Sequence, residues 1–341
     1  MMIFGFLPEN LKAQAVAVAF SIAWLAGEVE PRPEVAPARD RLVAFRRELY
    51  RCLTTRADAL FDLADAVLCA EGPVKTLVGL SLAPEHRRGH GALYDAVNAG
   101  RIDVARLRWS LAALPLLRWD DGRIRVAVDV SHWLRPEAAT SPERMFCHVY
   151  GRGKGNPQMI PGWPYSVVAA LEPGRTSWTA VLDAVRLGPD DDVTAVTAAQ
   201  VHEVVARLAG AGHWREGDPD ILAVFDAGYD ITRLAFLLAG LPVQLLGRLR
   251  SDRVLYFPPP PGRRDGKPGR PPRHGQEFRL ADPATWPDPA VTTITETTRY
   301  GTAAARSWER LHPKLERRDA WERHDGELPV LEGTLIPMPG S

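Results

Sequence analysis

Apolar residues run almost unbroken through Arg123–Trp133, RIRVAVDVSHW, where Ile124, Val126, Val128 and Val130 carry the pattern and one carboxylate, Asp129, sits near the downstream end. A buried strand reads this way, and a carboxylate at its end is costly unless a cation or hydrogen-bond donors meet it. The pattern recurs at Asp220–Asp230, DILAVFDAGYD: Ile221, Leu222, Val224 and Phe225 lead into Asp226, and Gly228 closes the strand. If the two strands are parallel neighbours, both carboxylates emerge at one carboxyl edge, where open α/β sheets place their ligands. Such a pair suits a hard divalent cation, usually Mg²⁺.

The rest of the chain is read around that pair. Residues 28–37, EVEPRPEVAP, form a proline-punctuated linker after a loosely attached N-terminal segment. Helical spacing follows. Leu42, Phe45, Leu49 and Leu53 share one face, and Leu60, Leu63, Val67 and Leu68 form a second helix ended by Gly72-Pro73. Two more helices, Leu93–Val97 and one carrying Val104, Leu107 and Leu111, flank the turn Asn98-Ala99-Gly100, with Arg101, Arg106 and Arg108 on the pair. A DNA-entering helix-turn-helix has this form. Ordinary packing of an amphipathic hairpin is the simpler account.

Asp120-Asp121-Gly122 is a turn into the Asp129 strand. MFCHVYG (145–151) and YSVVAALE (165–172) are strand-like and joined by the loop GRGKGNPQMIPGWP, which predicts a three-stranded antiparallel meander. Thr197–Gln200 reads as a capping box, with Val201, Val204, Val205 and Leu208 on the buried face behind it. The Asp226 strand, a helix at about 230–239 and the strand VQLLGRL (243–249) complete a β-β-β-α-β-α-β order. That order, with carboxylates on the first and fourth strands, predicts an α/β fold with a ribonuclease H-like mixed sheet. Beyond Arg250, Arg253–Arg279 holds little that could build a core; VTTITETTRY (291–300) is a Thr-rich strand, Trp308–Leu328 looks irregular, and the tail TLIPMPGS shows no closing strand.

Composition changes the picture only locally. Lys+Arg and Asp+Glu balance at 42 each, so any nucleic-acid contact must come from patches. Five of the 42 basic residues are lysine, leaving 42 − 5 = 37 arginines. GC-rich coding accounts for this more simply than bidentate phosphate contacts do. Between Arg248 and Arg279, nine Lys/Arg face three Asp/Glu, a net of +6. A proline-stiffened basic segment of this kind is the footprint of phosphate binding, with Arg263, Arg264, Lys267, Arg270 and Arg273 as its candidate contacts. Cys52, Cys69 and Cys147 form no CxxC pair, which argues against a disulfide framework or a zinc module. The apolar run Ala13–Ala26 is too short to span a bilayer, which needs roughly 20 residues, and it lacks a basic leader. A cytoplasmic protein without membrane attachment is expected.

Other constellations are weaker. His86 and His90 in EHRRGH have Arg87 where a zincin has Glu, and Gly89 and Gly91 oppose a helix. His132 and His148 lie near Asp129 in sequence and are more simply structural. GRGKG (151–155) lacks the spacing of a phosphate loop, and Lys154 is better used on a DNA phosphate.

AVDVSHW, GRGKGNPQMIPGWPYSVVAAL, AVFDAGYD and GELPVLEGTLI together resemble the DDE-type transposases of bacterial insertion sequences, over about residues 38–336. After the loose segment and linker (1–37), the resemblance implies a helical DNA-binding region (38–118), the first part of a ribonuclease H-like catalytic core (119–250), and a truncated basic Pro-rich loop with a β-rich insertion (251–341). It also implies cleavage and transfer of double-stranded DNA at transposon ends with Mg²⁺, or Mn²⁺ in its place, by a nucleoid-associated protein for which a homodimer is compatible. Asp129 matches the first catalytic Asp and Asp226 the second. The third member, a Glu on a helix beyond the insertion, has no match among Glu277, Glu296, Glu309, Glu316, Glu322, Glu327 and Glu332. A truncated or frameshifted, inactive transposase is therefore expected. An active nuclease using Glu309 or another Glu, a catalytically dead DNA-binding remnant, and a metal-dependent phosphohydrolase stay open as alternatives.

Overall fold

The computed structural model describes residues 36–71, 74, 76–89, 91–150, 157–174, 178–260, 272–297 and 301–337. The N-terminal segment, most of the linker and Gly72-Pro73 lie outside these. The chain opens with helices α1 (Ala36–Cys52), α2 (Ala57–Cys69), α3 (Leu77–Leu80), α4 (Gly91–Ala99) and α5 (Val104–Ala112), close to the expected periods. Leu53 leaves the first helix to begin a short strand, β1 (Leu53–Thr55), which pairs with β2 (Arg101–Ile102) and closes the helical segment on itself. Ala66, Leu80 and Leu93 form its small core. Arg46 grips Asp65 through two hydrogen bonds of 2.5 and 2.7 Å. Arg106 binds Glu48 at 2.6 Å, so this arginine serves the helix packing.

The main sheet is built from β3 (Arg125–Leu134), β4 (Met145–Tyr150), β5 (Pro157–Leu171), β6 (Thr179–Arg186), β7 (Ile221–Phe225) and β8 (Val243–Gly247). Its order is β4-β5-β3-β7-β8, with β6 on the same edge of β5 as β4. The β3, β4 and β5 strands are antiparallel, while β3, β7 and β8 run parallel. Helix α6 (Val193–Gly210) lays Val201, Val204, Val205 and Leu208 over Val126, Val128, Val168, Ile221, Ala223 and Phe225. Helix α7 (Ile231–Leu237) joins β7 to β8. It approaches so closely that a Cβ on Gly247 would stand 2.6 Å from Ile231 Cγ1. This is the mixed sheet of the ribonuclease H-like fold, with the expected helical segment before it and β-rich segment after it.

Several local expectations change. The strand expected from Tyr165 begins at Pro157 and takes in Pro161 and Pro164. The Pro161 carbonyl accepts from Arg135 N, one residue past β3, and that of Pro164 accepts from Leu187 N, one residue past β6. A residue's N–H and C=O point to the same side of an antiparallel strand, so each missing N–H falls beyond the end of a neighbour and breaks no ladder. Strand β6 was not expected. Asp183 interrupts its apolar run, yet this residue is 1% exposed because Arg207 and Arg108 reach it at 2.5 and 2.8 Å. The helix cap is also displaced: Asp192, not Thr197, accepts from Ala195 N at 3.1 Å. Thr197 and Gln200 lie inside α6 and are buried, and Gln200 bonds Ser166 twice, at 2.6 and 3.0 Å.

The C-terminal segment has a core after all. A second sheet combines β9 (Val254–Tyr256), β10 (Glu277–Arg279), β11 (Val291–Thr297), β12 (Gly301–Pro313) and β13 (Gly333–Leu335) in the order β10-β9-β12-β11, with β13 also on β12. Leu255, Phe278, Trp308, Leu311 and Leu335 are buried together. These residues are single apolar positions scattered among charges, which is why no run announces them. The tail therefore does contain a closing strand. Leu249 touches both cores, and Phe236 of α7 meets Trp321 edge-on at 5.3 Å.

Breaking a buried ion pair by removing one partner costs about 3–5 kcal/mol, because the other charge stays buried. Arg207→Leu should accordingly destabilise the protein by about that amount in urea titrations, since Asp183 is wholly enclosed. A loss below about 1 kcal/mol would show that Arg108 alone satisfies Asp183.

Candidate active site

Val128 of β3 stands opposite Phe225 of β7, the last of four in-register pairs that begin with Arg125 and Leu222. Asp129 is the next residue of β3, and Asp226 is the first residue after β7. Neighbouring strands lie about 4.8 Å apart, and alternation puts Asp129 on the face away from α6. Asp226 leaves the sheet directly beside it. Asp129 is half-buried and Asp226 exposed.

Tyr229 closes this corner from the loop after β7. Its ring meets Phe225 edge-on at 5.3 Å, and its N–H donates to the Asp226 carbonyl at 3.3 Å. Burial first, then the nearby charge of Asp129 and more weakly that of Asp226, push the phenol pKa up, while Ser166 opposes this. Ser166 approaches the buried hydroxyl, which nevertheless completes no hydrogen bond. The loop ends at Asp230, which caps α7 by accepting from Arg233 N at 3.0 Å. Arg233 in turn binds both oxygens of Asp192 at 2.7 and 2.6 Å, tying the first turns of α6 and α7 together behind the site.

Two neighbouring carboxylates supply hard oxygen donors for one divalent cation, so the residues present fit a single ion. No cluster of three or more His, Cys, Asp or Glu that could hold a metal occurs among the described residues. Glu309 lies on β12 in the second sheet. Glu277, Glu316, Glu327 and Glu332 are paired with Arg279, Arg318, Arg273 and Arg310. His132 is three positions beyond Asp129 on β3, so alternation turns it to the other face. His148 is exposed on β4.

The candidate phosphate contacts Lys154, Arg263, Arg264, Lys267 and Arg270 fall outside the described residues. Arg273 lies within them and is committed to the fold: it pairs with Glu327 at 3.2 Å and donates to the Leu328 carbonyl. Tyr229 is the site residue that sequence reasoning missed. Its position three residues after Asp226 in DAGYD was the available signal.

The mixed sheet, with Asp129 on β3 and Asp226 just past the neighbouring parallel strand, is the arrangement of nucleases built on the ribonuclease H-like fold. The family described as DDE superfamily endonuclease matches residues 48–314, from within α1 to just past β12. That is 314 − 48 + 1 = 267 of 341 residues, and the chain belongs to this family. Comparison with individual curated proteins gives no match. Members of the family act on DNA and generally use divalent metal ions. None of the helices among the described residues is long and apolar enough to cross a membrane.

The Arg233 guanidinium, helped by the Ala195 and Thr194 N–H groups and opposed by desolvation, holds the Asp192 carboxyl below its usual range. A depressed folded pKa stabilises above the unfolded value of about 3.9 and is lost as pH falls through the folded one. The stability gap between wild type and Arg233→Met should therefore narrow as pH falls below about 4, in urea titrations. A gap of constant size would show that the pair contributes through packing alone.

Proposed function

We propose that this chain is the transposase of a bacterial insertion sequence, acting on double-stranded DNA at transposon ends through Asp129 and Asp226. The observation that supports the reading is the register of β3 on β7, whose last opposed pair, Val128 and Phe225, directly precedes Asp129 and Asp226. Mg²⁺ is the ion these donors suit, with Mn²⁺ as its substitute. When bound, the ion would polarise the scissile phosphate and ready the attacking oxygen. Asp129 and Asp226 would hold it through their carboxylate oxygens. Tyr229 shields the inner side of the pair from water, and the α6–α7 tie through Arg233 keeps the Asp226 loop in place. Lys154, Arg263, Arg264, Lys267 and Arg270 supply phosphate contacts from the loop after β4 and from the basic segment.

Strand cleavage by two metals needs ligands for both ions, spaced about 4 Å apart. Among the described residues nothing adds a third carboxylate to the pair. On that observation we take the chain by itself to be a weak or inactive catalyst. The second reading, a DNA-binding protein without cleavage activity, follows from the same geometry.

The first test is a metal titration beside a cleavage assay. Mg²⁺ should raise the melting temperature of the wild-type chain and leave that of Asp129→Ala unmoved, while terminal DNA of the element stays uncut or is cut slowly. Clean cleavage that vanishes in Asp129→Ala would overturn the weak-catalyst reading and point to a downstream glutamate as the third ligand.

The second test concerns the basic segment. Replacing Arg263, Arg264, Lys267 and Arg270 with Ala should weaken binding to any duplex and flatten its salt dependence by about 0.9 per lost contact. Arg273→Ala should leave that slope alone and lower stability instead. An unchanged slope in the fourfold variant would show the segment to be a solvated loop.

A further inference from the structure

The face that carries Asp129 continues outward along β3 past the end of β7. Strand alternation puts Asp129, Ser131 and Trp133 on this face. Trp163 is paired with Trp133 across the β3–β5 ladder, and Phe146 with Pro161 across β4–β5, two positions from Trp163 on the same face. Met159 and His148 are the next opposed pair. Alternate residues of β5 follow this division: Gly162, Pro164, Ser166 and Val168 are buried, while Pro161, Trp163, Tyr165 and Val167 are partly open. On the open side Trp133 and Phe146 are each 52% exposed and Met159 is 49% exposed. Large rings this open are unusual on a sheet whose other face is sealed.

Guanidinium groups accompany the rings. Arg135 lies over Trp133 at 5.0 Å and Arg144 over Phe146 at 5.4 Å, while the two tryptophan rings stand 6.0 Å apart. Neither arginine is saturated. Arg135 makes a 3.6 Å pair with the exposed Glu137, and Arg144 donates to the Ser141 carbonyl at 3.2 Å, while its buried Nε finds no acceptor.

We infer that this aromatic strip holds unpaired bases of a DNA strand, stacking them beside the candidate active site while Arg135 and Arg144 meet the neighbouring phosphates. The inference rests on the DNA reading given above and deepens it. Trp133 is four positions beyond Asp129, about 13 Å at 3.3 Å per residue, so the strip begins within a few nucleotides of the carboxylates. Base pairs hide the faces of duplex bases, so only unpaired bases can use open rings, and stacking is indifferent to sequence because every base has a π-face. A DNA strand is the occupant because both guanidiniums keep donors to spare for phosphates and the family acts on DNA. A second copy of the chain is the competing occupant, since aromatic residues, methionine and arginine are also enriched at protein interfaces.

Binding is measured by fluorescence anisotropy in the presence of a chelator, with a single-stranded oligonucleotide, a forked duplex and a blunt duplex as probes. The wild-type chain should prefer the forked duplex to the blunt one. Trp133→Ala and Phe146→Ala should each weaken binding to the single strand and the fork by about 5- to 150-fold per stacked base lost. Blunt-duplex binding should hold, and Trp133→Phe should restore most of the loss. The proposal is overturned if the wild type shows no preference for the fork, or if the alanine variants lose all three probes equally. It is also overturned if they keep DNA binding and instead lose self-association in sedimentation. No metal enters this measurement, so a failed strip and a failed metal pair are told apart by comparison with the Asp129→Ala titration.

Discussion

The register of β3 on β7 is the constraint on which the rest depends. It joins residues 226 − 129 = 97 positions apart, and a slip by one residue would turn Asp226 to the opposite face. The apolar set holds it in place. Val126, Val128, Ile221, Ala223 and Phe225 all face α6 in one register only, and a slip would expose them together while burying a carboxylate. β8 extends the same ladder by pairing Phe225 with Gly247, and the missing side chain there lets α7 settle on the sheet and set the loop that carries Tyr229. Hydrophobic patterning on one face thereby fixes the chemistry of the other.

Much of this was legible in the sequence, and the reasons for the failures are specific. The strands that lead into Asp129 and Asp226 were readable because a carboxylate after an apolar run is a costly exception, although β3 continues past Asp129 to Leu134. The face of α6 was readable from its spacing, but its start was misplaced: Thr197 and Gln200 have the types of a capping box, and only packing shows that Gln200 is spent on Ser166. Strand β6 was hidden because its central Asp183 is neutralised by arginines from elsewhere in the chain. The early half of β5 was hidden because prolines argue against strands unless their missing donors fall past a neighbour's end. The second sheet escaped because its core is assembled from isolated residues. Phe278 and Trp286, stacked within 10° of parallel at 5.2 Å, give no periodic signal.

The abundance of arginine had two readings, coding bias and phosphate contact, and the fold adds a third. Arg46, Arg88, Arg106, Arg108, Arg207, Arg233 and Arg310 each bind carboxylates within the chain. A guanidinium suits this use because its planar fork can meet two oxygens or two partners at once. Arg88 does the latter, reaching Asp58 and Asp62 at 2.9 Å each. Balanced net charge and a large arginine count are then what one expects of a chain that uses ion pairs to join its helices.

One of those arginines reaches farther than the others. Arg108 leaves α5, in the helical segment, to meet Asp183 of β6, which α6 also holds through Arg207, and Trp109 lies so close to Gly210 that a Cβ there would come within 2.7 Å. The helical segment and the main sheet are thereby joined by a buried ion pair and a close ring contact. Under the proposed function, a duplex held by the helices would meet Asp129 and Asp226 at a distance this joint sets, and the site of reaction would be a length counted along the DNA.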